Sequence, residues 1–245
     1  MIFYPIGKTD ACLHATRILA RQGIGLTDHP SPDVTHLLLD VPSFRPDGQL
    51  RQGGYIEPLL RMLPPKVHII GGNLTSTAAE NCSHTDLLAD PFYLAENASI
   101  TADCALRLAG THMDMTFAGN PALVIGWGRI GKCLAQKLKA LGCQVTVAAR
   151  KETDRAMLRA LGYRAVPVTS LSALPVPGMP VFNTVPYPLE VEIPEGCVAL
   201  ELASVPGLSR GNILDGRGLP GRLAPRTSGK LIAETILRKI QEESL

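Results

Sequence analysis

The residues with the strongest chemical signature are Gly126-Trp127-Gly128-Arg129-Ile130-Gly131, which match G-x-G-x-x-G. In a dinucleotide turn the first glycine permits the tight bend. The second lets the backbone approach a pyrophosphate, and the third lets the helix pack closely on the strand. Unpaired N–H groups at the helix start then attract phosphate oxygens. The pattern alone is weak, because glycines often simply mark turns. Here an apolar strand, Leu123 to Ile125, precedes it and an amphipathic helix, Ile130 to Leu141, follows. A second strand, Val145 to Ala148, comes at the expected distance.

That second strand runs out into Ala149-Arg150-Lys151, and the first acid beyond it is Glu152. Enzymes that take NAD usually carry an acid there for the ribose hydroxyl. Arg150 and Lys151, flanked by Thr146 and Thr153, instead suit a 2′-phosphate. The predicted cofactor is NADP, with NAD second; the bland alternative is an exposed basic loop. Ligands of open α/β sheets sit beyond the carboxyl ends of strands. Asn183-Thr184-Val185-Pro186, Ala203-Ser204 and Pro225-Arg226-Thr227-Ser228 are therefore expected to face the nicotinamide half. The predicted cofactor contacts are Gly126, Trp127, Gly128, Arg129, Ile130, Ala149, Arg150, Lys151, Asn183, Thr184, Val185, Pro186, Ala203 and Ser204.

Positioning these residues requires alternating strands and helices. The expected fold is α/β, a Rossmann-type doubly wound parallel sheet plus a smaller flavodoxin-like N-terminal α/β domain. Residues 1–95 form the substrate-side domain, 96–118 a linking helix, 119–226 the NADP-binding domain, and 227–245 a C-terminal helix packing back near the first domain. In the first domain Ile2–Ile6, His36–Val41 and Val67–Ile70 read as strands, and Asp10–Arg21, stopped by Gly23, as a helix. Tyr55–Leu63 reads as a short helix. The linking helix is expected to start near Asn97, capped by Ser99 or Thr101, with Asp103 near its positive end. Further on, Arg155–Leu161 reads as a helix and Val181–Thr184 and Val198–Leu202 as strands. The tail, Ser228–Ile240, presents Ile232, Ile236 and Ile240 on one face, and Glu234 and Arg238 stand at i,i+4 spacing. Two domains without a long tether imply a cleft, whose far wall would hold Val41-Pro42-Ser43 and Gly71-Gly72-Asn73.

Composition removes several classes. The 245 residues carry a formal net charge of +2 and no dense basic block, which argues against nucleic acid as partner. No apolar run reaches the roughly 18 residues a membrane span needs. The N-terminus lacks a signal-peptide layout, so a cytoplasmic location is expected. Six scattered cysteines, with no C-x-x-C and no clustered histidines, predict no metal site. Gly7-Lys8-Thr9 echoes the end of a Walker A loop but lacks its earlier glycine. His84 and His112 titrate in a useful range, yet each reads first as a surface or loop residue.

Longer stretches of the chain resemble a known family, the dehydrogenase-like subunits of dipicolinate synthase. The resemblance rests on Tyr93-Leu-Ala-Glu-Asn97-Ala-Ser-Ile-Thr101-Ala-Asp, Val124-Ile-Gly-Trp-Gly-Arg-Ile-Gly-Lys132 and Val145-Thr-Val-Ala-Ala-Arg150-Lys151. It continues through Phe182-Asn-Thr-Val-Pro186 and Leu202-Ala-Ser204, and ends with Gly218-Leu-Pro-Gly221-Arg-Leu-Ala-Pro225-Arg-Thr-Ser-Gly229. It covers about residue 90 onward. Before that it is looser. It departs from the family pattern at Asp103-Cys104 and at Glu201.

The resemblance implies NADP-dependent oxidation of a dihydrodipicolinate-type ring to pyridine-2,6-dicarboxylate in spore formation. It also implies a partner, the small flavoprotein-like second subunit of the same synthase. A dicarboxylate substrate needs N–H groups, hydroxyls or cations, and Ser43, Asn97, Thr101, Thr227 and Ser228 are the residues it suggests. No pattern designates a catalytic proton acceptor. Related two-domain dehydrogenases commonly form homodimers. One alternative is a D-2-hydroxyacid-dehydrogenase-like reductase of another small acid. Its mechanism uses a late histidine, whereas all six histidines here lie at or before His112. The other is a non-catalytic NADP(H)-binding protein.

Overall fold

The computed structural model describes residues 1–74, 78–171 and 174–243. Two compact units emerge: residues 1–97 with the segment from Pro220 onward, and Ala98–Leu219. The chain passes between them inside one helix and returns inside another.

The first unit begins with β1 (Ile2–Pro5), α1 (Asp10–Arg21), β2 (Gly25–Leu26), β3 (His36–Leu38), α2 (Glu57–Leu60), β4 (His68–Gly71) and β5 (His84–Asp86), and leads into α3 (Pro91–Gly110). Its five strands are all parallel, in the order β2-β1-β3-β4-β5. That is the flavodoxin-like order. The ends of α1 follow local chemistry. Thr9 accepts from Cys12 N–H at 3.3 Å, Asp10 stands in the first turn and Arg21 in the last, and Gly23 follows with φ +84°. One core cluster packs Leu37 and Ile69 of the sheet, with Leu39 just beyond β3, against Val34, Ile56, Leu63 and Leu74.

The second unit continues with β6 (Pro121–Ile125), α4 (Arg129–Ala140), β7 (Gln144–Ala148), α5 (Glu152–Ala160), β8 (Arg164–Val166), β9 (Pro180–Asn183), β10 (Val198–Glu201) and β11 (Ile213–Asp215). Its sheet is parallel throughout, ordered β11-β10-β9-β6-β7-β8. Counted within the unit this is the Rossmann order, and its switch point falls between β6 and β9. The chain then forms α6 (Leu219–Leu223) and α7 (Pro225–Glu243). In the first unit α7 packs along α1. The two helices approach so closely that a β-carbon at Gly229 would lie 2.4 Å from Ala11 O.

Three expectations are corrected. The helix expected from Asn97 starts at Pro91, where Asp90 accepts from Tyr93 N–H at 2.8 Å. Proline suits a first helical turn and aspartate a cap, so the helix begins more than two turns before Ser99 and Thr101, which lie in its interior. The C-terminal helix opens at Pro225, not Ser228. Glu234 and Arg238 do not pair: Glu234 meets Lys230 at 3.6 Å, while Arg238 binds Glu242 and the buried Asp90. A buried carboxylate outcompetes an exposed neighbour for the guanidinium.

Asp90 thereby ties α7 to the start of α3. Burial pushes its carboxyl up, but hydrogen bonds from Arg238, Tyr93 N–H and Lys239 outweigh this and hold it down at about 2. Because the folded value is depressed, the stabilisation is present above the ordinary carboxylate value and is lost as pH falls through about 2. Asp90→Asn is expected to cost about 2 kcal/mol at neutral pH. It should also flatten the acid limb, as urea melts across that range would show. An unchanged acid limb would contradict the tie.

Candidate dinucleotide site

At the carboxyl end of β6, Gly126 takes φ +108°, and a β-carbon there would sit 2.3 Å from Thr184 Oγ1. At Gly131 it would sit 2.2 Å from Gly126 O, so the third glycine lets α4 close onto the turn. Gly128 differs: its backbone is extended, and a β-carbon would meet nothing within 4 Å. Gly128 caps α4 with no side-chain bond, and the first intrahelical bond runs from Lys132 N–H to Gly128 O at 2.9 Å. The N–H groups of Arg129, Ile130 and Gly131 therefore point from an uncapped helix start beside open space. This cradle fits a pyrophosphate. Thr184 braces the switch point, donating through both N–H and Oγ1 to Ile125 O at 2.9 Å. Trp127 turns its ring edge-on to Tyr163, with centroids 6.0 Å apart.

Beyond β7, Ala149 is buried and bonded to Val166 O, whereas Arg150 and Lys151 are exposed and make no ion pair among the described residues. Glu152 is not available to a ribose, since Arg155 and Arg159 both hold it. Their hydrogen bonds, Arg159 foremost, keep its carboxyl below the usual range. Arg155 Nη1 also donates to Ala149 O and Arg150 O, each at 2.7 Å. It shapes the basic loop, a role sequence reasoning missed; the visible signal was its i,i+3 spacing from Glu152. Thr153 is exposed, but Thr146 does not flank the basic pair, because it is buried mid-strand.

At the ends of β9 and β10, Asn183 and Glu201 are register partners. Asn183 Nδ2 donates to both Glu201 oxygens at 2.9 Å, and its Oδ1 accepts from Val185 N–H. Glu201 also accepts from Ala203, Gly207 and Leu208 N–H at 3.0, 2.7 and 3.0 Å. The carboxamide of Asn183 thus holds the two loops together. Pro186 and Ser204 are exposed, Val185 is half-buried and Ala203 is buried.

The remaining candidates belong to both units. Ser43 is buried, donating to Asp40 O and accepting from Gly72 N–H, so its hydroxyl braces a turn. Asp40 accepts from Lys8 and Thr9 N–H, which occupies the amides of the Gly7-Lys8-Thr9 loop with a protein carboxylate. Asn97 is half-buried and Thr101 buried, both inside α3. Thr227 is exposed in the first turn of α7, and Ser228 Oγ beside it is buried with no hydrogen-bond partner among the described residues. The ring of His84 meets Cys82 O at 2.9 Å. That of the exposed His112, in the second unit, meets Leu108 O at the same distance. Among the described residues no cluster of His, Cys, Asp or Glu could hold a metal, and no helix is long and apolar enough to cross a membrane.

Residues 104–174 match the family model for the D-isomer specific 2-hydroxyacid dehydrogenase, NAD binding domain. A dipicolinate synthase subunit of Bacillus subtilis (strain 168) is 28% identical over 163 residues, 60% of this chain and 54% of that protein. The chain resembles dipicolinate synthase. The aligned stretch spans about half the length of that relative. Crystal structures of dipicolinate synthase subunits from Bacillus halodurans and Bacillus subtilis share the fold more completely. The first has TM-score 0.83 and 21% identity, covering 97% of this chain and 96% of its own. The second has TM-score 0.79 and 22% identity, covering 99% and 97%. The family match supports a nicotinamide dinucleotide as cofactor, and with the dipicolinate synthase likeness it supports an oxidoreductase.

Proposed function

We propose that the protein is an NADP(H)-dependent oxidoreductase that converts a dihydrodipicolinate-type ring to pyridine-2,6-dicarboxylate, working with a flavoprotein-like second subunit. The observation that carries the reading is the open cradle at Gly128 beside Arg150 and Lys151, with the nearest acid already engaged by arginines. Amides of Arg129, Ile130 and Gly131 hold the diphosphate, and the two cations hold the 2′-phosphate. Thr184 and the Asn183–Glu201 pair fix the loops at the switch point, where the nicotinamide half would lie. A bound nicotinamide would supply the hydride acceptor for a ring that becomes aromatic by losing one hydride and one proton.

A second reading, reduction of another small acid, draws on the dehydrogenase family match alone. No histidine follows His112, so the late-histidine mechanism has no residue to use. One assay separates the readings: dipicolinate absorbance and NADPH fluorescence with a dihydrodipicolinate-type substrate, with and without the flavoprotein-like partner. Equal formation of dipicolinate and NADPH is expected. Binding of NADPH with no turnover under either condition would leave a non-catalytic role instead.

A further inference from the structure

The amino ends of β6, β7 and β8 enclose a hollow of about 320 Å³, at the opposite edge of the sheet from Gly126. It exists because the crossover from β8 to β9 carries only a 3-10 turn, Val168–Ser170, among its described residues.

We propose that this hollow is a second ligand site, taking a small monocarboxylic acid with an apolar body. Thr146 is the first reason. It pairs in register with Leu123 and Arg164, and all three line the hollow. The residue is only 7% exposed, and its hydroxyl, which pairs with no protein group among the described residues, is left to the hollow that the residue lines. Valine would fill a largely buried strand position better, so the threonine keeps a polar group at the wall of the hollow. Charge is the second reason. No acid lines the hollow, and the Arg164 guanidinium beside Thr146 has no ion pair among the described residues. Lys139 adds positive charge at the wall, held 2.8 Å from Leu161 O and 4.6 Å from the Tyr163 ring centroid. Leu174 and Met179 supply the apolar floor. The volume suits a small molecule and is too small for a dinucleotide. One free guanidinium against an apolar wall fits a carboxylate better than a phosphate.

The test uses benzoate as probe and the Met179 methyl group as reporter, read by NMR on methyl-labelled full-length protein and assigned with Met179→Leu. Benzoate is expected to move the Met179 resonance saturably. Arg164→Gln should weaken it roughly 10-fold or more, a loss of about 1.4 kcal/mol. Thr146→Val, nearly the same shape, should weaken it by a smaller factor. NADPH affinity should stay unchanged in both variants, and benzyl alcohol should bind more weakly than benzoate. A Met179 resonance that benzoate does not move, or an affinity indifferent to both substitutions, overturns the proposal.

Discussion

Gly128→Val is expected to raise the NADPH dissociation constant by at least about 100-fold, equivalent to about 2.7 kcal/mol, while leaving the fold intact. The backbone at Gly128 is extended, so a β-branched residue adopts it without strain, and a β-carbon there meets no protein atom within 4 Å. The new methyl groups therefore enter only the space assigned to the pyrophosphate. Neighbouring glycines do not offer so clean a test. A β-carbon at Gly131 would strike Gly126 O at 2.2 Å, and at Gly126 it would strike Thr184 Oγ1 at 2.3 Å. Fluorescence titration paired with a thermal melt checks the prediction. Unaltered affinity in a variant that melts like the parent would remove the pyrophosphate from this turn.

Arg150→Ala is expected to weaken NADPH by about 30-fold and NADH by little, since a charge-assisted hydrogen bond contributes about 2 kcal/mol. Arg150 is exposed and has no ion pair among the described residues, so its loss leaves no buried group unsatisfied. Lys151→Ala should act in the same direction but less strongly, because an ammonium lacks the planar fork that grips a phosphate. Replacing Arg155 should instead hurt both cofactors alike, because that side chain holds Ala149 O and Arg150 O and so shapes the loop itself. Paired titrations of the three variants with both dinucleotides separate charge from loop geometry.

What could be read from the chain depended on how local its causes are. The glycine turn and the span of α1 were legible because their constraints lie within a few residues: positive φ, close approach, a threonine cap. The start of α3 was misplaced because Ser99 and Thr101 look like caps in isolation, whereas Asp90-Pro91 sets the helix going earlier. Strands β2, β5, β8 and β11 went unseen. Each is two or three residues long and is defined by pairing with a neighbour, not by its own pattern. The bracing role of Asn183 was hidden for the same reason. Its partner Glu201 lies 18 positions away and becomes adjacent only through the β9–β10 register. The basic pair at Arg150 was visible, but the arginines that take Glu152 out of play were not.

If main-chain amides at the start of α4 hold a diphosphate while Arg150 and Lys151 recognise the extra phosphate of NADP, calorimetry should register both. Isothermal titration of the unmodified protein with NADPH and then NADH is expected to give a single NADPH site per chain and distinctly weaker NADH binding. Heat from neither dinucleotide would rule out the cradle, and equal affinity for the two would rule out the role of the basic pair.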